Sequence, residues 1–250
     1  MLPEIVLVGA LSGLVQGLSG FAFGLIATAL WAWMMEPQMV VPMVALGSLV
    51  GQIVSVHSVR RDVERARLAP FIIGGALGVP LGTLLLQQLS VPVFRTGVGI
   101  ILVAYCSTML WVTKLPRVRS GGRPADGFIG FVAGVMNGLS ALAGPPMILW
   151  CALRGWSKGV QRATFQPFFI FVQLLALGLF VWQGTLDLAV LRVFLWVGPV
   201  IVLSSWIGSR FARRFSDLRF QRLVFLLLVV SGLSLLSPLI GRALRGLAAG

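Results

Sequence analysis

Apolar runs long enough to cross a lipid bilayer recur along nearly the whole chain, and they constrain the fold more than any other feature. A helix needs about 20 apolar residues to span roughly 30 Å of hydrocarbon. By that measure eight segments stand out, at about 5–33, 38–57, 68–89, 92–113, 127–152, 163–183, 187–208 and 220–240. Lipid offers no hydrogen-bond partners, so each segment is expected to satisfy its own backbone as a helix. Pro42, Pro80, Pro167 and Pro199 fall inside segments and are tolerated where neighbouring helices satisfy the freed carbonyls. Of the 250 residues, 58% are hydrophobic and 11% charged, against roughly 25% charged in a soluble domain. The expected fold class is therefore an all-α integral membrane protein. Met1-Leu2-Pro3-Glu4 lacks the basic stretch of a secretory signal, so no cleaved leader is expected.

The chain reads as a duplication. Gly9, Gly13 and Gly17 recur 121 positions later as Gly130, Gly134 and Gly138, and Leu18-Ser19 as Leu139-Ser140. Further on, Gly82, Leu89-Ser90 and Phe94 recur as Gly208, Phe215-Ser216 and Phe220. Two four-segment halves result: an N-terminal membrane repeat over 1–113, a basic cytoplasmic linker over 114–126 and a C-terminal repeat over 127–250. Weak internal symmetry of this kind is common in secondary transporters.

A formal net charge of +13 invites comparison with nucleic-acid binders, but those spread cations over a solvated face. Here Arg and Lys cluster between apolar runs, a pattern of membrane topology, so no nucleic-acid partner is expected. If all eight segments crossed, the cations would divide almost evenly between the two sides. If segments one and five instead enter and leave by the same side, sixteen of the twenty cations share one face, leaving Arg95, Arg192, Arg242 and Arg245 opposite. Cations in short loops stay cytoplasmic, so the uneven division is preferred. It makes the halves inverted copies, with segments one and five as re-entrant helical hairpins whose arms of about 12 residues each rise some 18 Å. A single hairpin at segment five gives the same division.

Both of these segments carry helix-breaking residues near their middles. The first reads Gln16-Gly17-Leu18-Ser19-Gly20-Phe21-Ala22-Phe23-Gly24, the second Asn137-Gly138-Leu139-Ser140-Ala141-Leu142-Ala143-Gly144-Pro145-Pro146. Proline lacks a backbone donor and suits the first turn of a new helix. Each break is therefore expected to start a half-helix whose free N–H groups and positive dipole end face the protein centre, an arrangement that attracts anions. The substrate-binding set expected from this is Gln16, Gly17, Ser19, Gly20, Phe21, Asn137, Gly138, Ser140, Gly144 and Pro145, joined by Gln52 and Gln166 from segments two and six. Glycines at four-residue spacing also let helices pack closely, and Gly74, Gly78 and Gly82 read that way.

The remaining polar residues are few. Gln173 has the same two readings as Gln52 and Gln166, lining the pathway or bonding a neighbouring helix, with the second preferred, and His57 is expected to lie at the interface. Trp31, Trp33, Trp111, Trp150, Trp156 and Trp182 fall near segment ends, as an interfacial belt would. Among the aromatics, Phe21 and Phe23 are the candidate gates. The acids Glu4, Glu36, Asp62, Glu64, Asp126, Asp187 and Asp217 all fall at segment ends or in loops, which leaves no carboxylate at depth for a proton or sodium relay. No HExxH, GxSxG or Walker pattern is present, so no enzyme is expected. Cys106 and Cys151 have no metal spacing and read as packing residues, and neither a metal nor another cofactor is called for.

With these motifs in place the chain resembles the TauE/SafE family of sulfite and organosulfonate exporters. The resemblance rests on the length, the two four-segment halves, Gly9-xxx-Gly13-xxx-Gly17-Leu-Ser-Gly20, its copy running to Gly144-Pro145-Pro146, the basic loop between the halves, and Gly78-xxx-Gly82 to Leu89-Ser90. It implies a multi-pass protein of the bacterial inner membrane, surrounded by lipid, that exports small sulfur-containing anions such as sulfite, thiosulfate or sulfoacetate. The first half departs from its copy in having Phe23-Gly24 where the second has Gly144-Pro145. An importer, a carrier of another anion such as a carboxylate, and a membrane scaffold remain alternatives, and a homodimer is left open.

Overall fold

Long apolar helices account for almost all of the computed structural model, which describes residues 2–55, 64–111, 117–118, 120–211 and 218–248. Side chains are described for all of these except 54–55, 218–221 and 238–248. His57, Arg60, Arg61, Asp62, Lys114, Arg119, Arg213, Arg214 and Asp217 lie outside the described residues.

There are ten helices and no strand among the described residues: α1 Leu2–Ser19, α2 Phe23–Trp31, α3 Pro37–Ser55, α4 Arg65–Gln88, α5 Val91–Trp111, α6 Gly122–Ser140, α7 Gly144–Leu153, α8 Lys158–Trp182, α9 Leu188–Phe211 and α10 Leu218–Ala248. Five of them, α1, α4, α5, α8 and α9, are long and apolar enough to cross a membrane. The internal prolines Pro42, Pro80, Pro167 and Pro199 leave their helices continuous. Leu7, Leu77, Leu195 and Leu227 stand exposed on the outer faces, which in a bilayer is the face turned to lipid. These are the helices of a multi-pass membrane protein.

The two segments expected to bend are the two that break. At the end of α1, Gly20 adopts a left-handed φ of 86°, and at the end of α6, Ala141 adopts one of 55°. They stand 121 positions apart, the offset read from the sequence, and each stops its helix by turning the next peptide out of register. The chain then folds back. Trp31, at the end of α2, donates its indole N–H to the Ile5 carbonyl at 3.3 Å, whereas an unbroken helix would separate residues 26 apart by about 39 Å. Trp150 in α7 likewise donates to Asp126 Oδ1 at 2.7 Å. The arms are unequal, 18 and 9 residues in the first pair and 19 and 10 in the second, and not about 12 each. α6 also begins at Gly122, within the stretch assigned to the linker, because Gly121 and Gly122, both at positive φ, form the turn that starts it.

Glycine stripes fix how these pairs pack. α1 lies along α9 and α6 along α4. At Gly208 an added Cβ would strike Leu14 O and come within 3.1 Å of Gly17 Cα; at Gly82 it would strike Val135 O and come within 3.0 Å of Gly138 Cα. These are the same contacts at the offsets read from the sequence. Gly74, Gly78 and Gly82 pack as expected, and Gly9, Gly13 and Gly17 belong to the matching crossing. α5 and α10 run side by side, with Gly99 against Gly232 and the Tyr105 ring edge-on to Phe225 at 6.1 Å.

The ends sort as the charges imply. Arg67 and Arg154 both lie over the Trp156 ring, at 5.0 and 5.9 Å, and Arg117 lies against Gly155. The starts or ends of α3, α4, α8 and α9 meet at the other end, around a cleft lined by Glu36, Gln38, Gln87, Gln183 and Asp187. Trp31 is fully buried, so it is no part of an interfacial belt: its indole serves the α1 backbone. Trp111 and Trp182, about four-fifths exposed, do fit one.

Candidate functional site

The two helix breaks meet. Thr28 of α2 donates its hydroxyl to the Ser140 carbonyl at 3.3 Å, and Gly24 lies so close to the second break that an added Cβ would stand 2.9 Å from Ala141 O. Between the tips is a cavity of about 20 Å³, room for about one water. Phe21, Gly24, Ala141, Gly144 and Pro145 supply its walls from the breaks, and Ser48, Gln52 and Gln173 supply its polar side chains from α3 and α8. No charged residue is among its described lining residues.

The backbone at the two breaks is less open to a ligand than the sequence implies. At the first, the N–H groups of Phe21 and Ala22 donate to Ser19 Oγ at 3.4 and 3.2 Å, and that of Phe23 to Gln16 Oε1 at 2.9 Å. Ser19 itself donates to Val15 O. Gln16 and Ser19 thus cap the new helix from within the chain. At the second, Pro145 and Pro146 have no N–H, so the first turn of α7 carries few donors. The positive end of each helix dipole still faces the cavity walls.

Side chains supply the unsatisfied groups instead. Gln52 and Gln173 are 4% and 3% exposed, and the Oε1 of each is buried without a hydrogen-bond partner. Leaving such a group unpaired costs about 1–3 kcal/mol. A site that binds and releases a polar guest gives a reason to carry that cost.

The comparison with known proteins gives the family. The sequence pattern of the family described as sulfite exporter TauE/SafE matches residues 5–235. The chain belongs to this family. A TauE/SafE relative from Cupriavidus necator, named "Probable sulfite/organosulfonate exporter TauE", is 24% identical over 230 residues, covering 90% of each chain. No solved structure matches the chain.

Within this TauE/SafE fold, four of the residues expected from the sequence line the cavity: Phe21, Gln52, Gly144 and Pro145. Gln166 is buried beside the first break, 3.7 Å from where a Gly20 Cβ would stand, with its Oε1 unpartnered. Gln16 and Ser19 shape that break without lining the cavity. Gly17 and Gly138 face the helix crossings, where added Cβ atoms would meet the α9 and α4 backbones. Asn137 donates to Val172 O at 3.0 Å and Ser140 to Met136 O at 2.9 Å, which ties the second break to α8 and to its own helix. Ser48 was not singled out from the sequence, and Gln173 was read as a helix–helix contact. Gln173 stands 121 positions after Gln52, the offset that relates the two breaks, and that recurrence is the signal that would have found it. Phe21 meets Phe165 edge-on at 6.4 Å, and Phe165 stacks on Phe169 at 5.2 Å, giving the cavity an aromatic wall. Phe23 is buried against Trp31 and Gly47 and lines no opening.

Proposed function

We propose that the protein exports sulfite or a closely related small sulfur-containing anion, and that the guest is held between the two helix breaks. The observation that carries this reading is the small cavity where the breaks meet, with buried unpaired amide oxygens at Gln52 and Gln173 beside it and no carboxylate among its described lining residues. In this reading the two broken pairs are re-entrant hairpins, the halves are inverted repeats, and the fixed site is reached from one face at a time. The matching crossings of α1 on α9 and α6 on α4 support the inversion. A cavity with room for about one water cannot hold an anion of four heavy atoms, so the tips part to load and close to carry.

The proposed binding groups are the walls at Gly20, Phe21, Gly144 and Pro145, the amides of Gln52 and Gln166, and Gln16, Gly17, Ser19, Asn137, Gly138 and Ser140 as the parts that hold the breaks in shape. Export needs no coupling ion, since an inside-negative potential supplies about 2.3 kcal/mol per charge per 100 mV. Arg67, Arg117 and Arg154 at the basic end concentrate anions at the entrance, an effect that salt weakens.

The test is sulfite flux in proteoliposomes. The unaltered protein should pass sulfite down an imposed potential, and Gly24→Val, which drives a side chain into the second break, should lower the rate at least tenfold while the variant stays monodisperse. Flux equal to that of empty vesicles sinks the reading.

A further inference from the structure

We infer that Phe21 and Leu142 are paired gates: Phe21 closes the site toward the basic end of the molecule, and Leu142 closes it toward the opposite end. This rests on the transport reading above and assigns the two side chains that open in turn.

Equivalence is the first argument. Leu142 stands 121 positions after Phe21, the offset that relates the two breaks, and both residues line the cavity. Each directly follows the residue that holds a left-handed φ, Gly20 in one case and Ala141 in the other. Residues at the ends of elements are where chains absorb the φ/ψ changes of a hinge, so a side chain next to such a bend moves with it. Both side chains are bulky and apolar, and a narrow apolar constriction bars ions by shedding its water.

The second argument is that the two face opposite ends. α6 starts at the basic end, where Asp126 pairs with Arg154, and runs for 19 residues. That is about 28 Å, which carries its tip well past the middle of a bilayer roughly 30 Å thick. Gly138, four residues before Leu142, packs on Gly82, and Gln87, one turn further along α4, lines the cleft at the far end. Phe21 is placed the other way up. Gly17, four residues before it, packs on Gly208, and α9, which leaves the cleft at Leu188, ends just beyond that crossing at Phe211. Phe21 also meets Phe165 edge-on, and Phe165 lies only about 10 Å along α8 from Lys158, where that helix starts at the basic end. The two seals are not equally tight. Leu142 is 1% exposed, whereas Phe21 is partly buried, so the gate toward the cleft is the firmer one in this state.

The experiment reads which end admits a reagent to the cavity. In the full chain with its two cysteines, Cys106 and Cys151, replaced by alanine, Ser48→Cys puts one thiol on the cavity wall. A membrane-impermeant methanethiosulfonate carrying a sulfonate group is applied to inside-out vesicles, which present the basic end, and to right-side-out vesicles, which present the other. Phe21→Ala should speed labelling about tenfold from the basic end alone, and Leu142→Ala about tenfold from the opposite end alone. Phe23→Ala, which shortens a neighbouring aromatic that lines no opening, should open neither. Where an alanine variant is not monodisperse, Phe21→Leu and Leu142→Val should show the same sidedness in milder form. Labelling unchanged by either gate substitution, raised at one and the same end by both, or raised equally by Phe23→Ala overturns this inference. Sulfite flux through the unaltered protein is measured alongside: if it persists, the transport reading stands without these gates. Opposite-sided labelling with no flux of sulfite keeps the two barriers and overturns the transport reading.

Discussion

In the first helix pair the indole of Trp31 donates to a backbone carbonyl, that of Ile5, at 3.3 Å. In the second the indole of Trp150 donates to a carboxylate, that of Asp126, at 2.7 Å, and the same carboxylate pairs with Arg154 at 3.5 Å. Asp126 stands 121 positions after Ile5, the offset read from the sequence. One closure is neutral and draws on a carbonyl already in a helix; the other is ionic and largely buried, and it joins the basic end of the molecule through the rings of Trp150 and Trp156. The tips differ in the opposite sense: side chains of Gln16 and Ser19 cap the first, while two prolines replace the donors at the second. Equal backbone geometry has thus been reached with different chemistry, and a pair anchored by charge at one end of the molecule is not free to move as its neutral counterpart is.

The largest test of this contrast is to cut each closure. Asp126→Ala strands Arg154 and frees Trp150, and should lower stability by about 3 kcal/mol; Trp31→Phe removes one neutral hydrogen bond and should cost about 1 kcal/mol. Unfolding in mixed micelles measures both, and equal costs would mean that the ionic closure adds nothing. The next test concerns what the pairs share. Gly82→Ala and Gly208→Ala force a methyl into matching helix crossings, each at a cost of about 2 kcal/mol. Losses differing by more than the cost of either one would break the equivalence. The smallest effect is at the breaks themselves. Ala141 bears the strain of a left-handed φ where Gly20 does not, so Ala141→Gly should stabilise the protein and Gly20→Ala destabilise it, each by about 1 kcal/mol or less, read as opposite shifts in melting temperature. Shifts of the same sign would refute the strain assigned to Ala141.

Much of this was legible because glycine and proline act locally. The breaks after Ser19 and Ser140 fall where the tip motifs place them, and the crossing of Gly17 on Gly208 repeats that of Gly138 on Gly82 at the offsets the sequence shows. What was not legible depends on which way a side chain faces. Trp31 near a segment end looks interfacial until α2 folds back and buries it. Gln16 and Asn137 occupy equivalent positions and invite the same role, yet one caps a helix and the other reaches α8. Ser48 and Gln173 sit in helices apolar on every side, so periodicity gives no face to assign them to. The long arms, α1 and α6, pack against α9 and α4, a constraint that no local pattern records.

That α1 is clasped by α9 carries a consequence for biosynthesis. At about 5–20 residues per second, the ribosome finishes α9 some 10–40 seconds after α1 has entered the translocon. Through that interval the stripe of Gly9, Gly13 and Gly17 has no mate, and the newborn helix must be kept from pairing with a stranger's groove. Split genes encoding the two halves should therefore give a functional carrier only when made together in one cell.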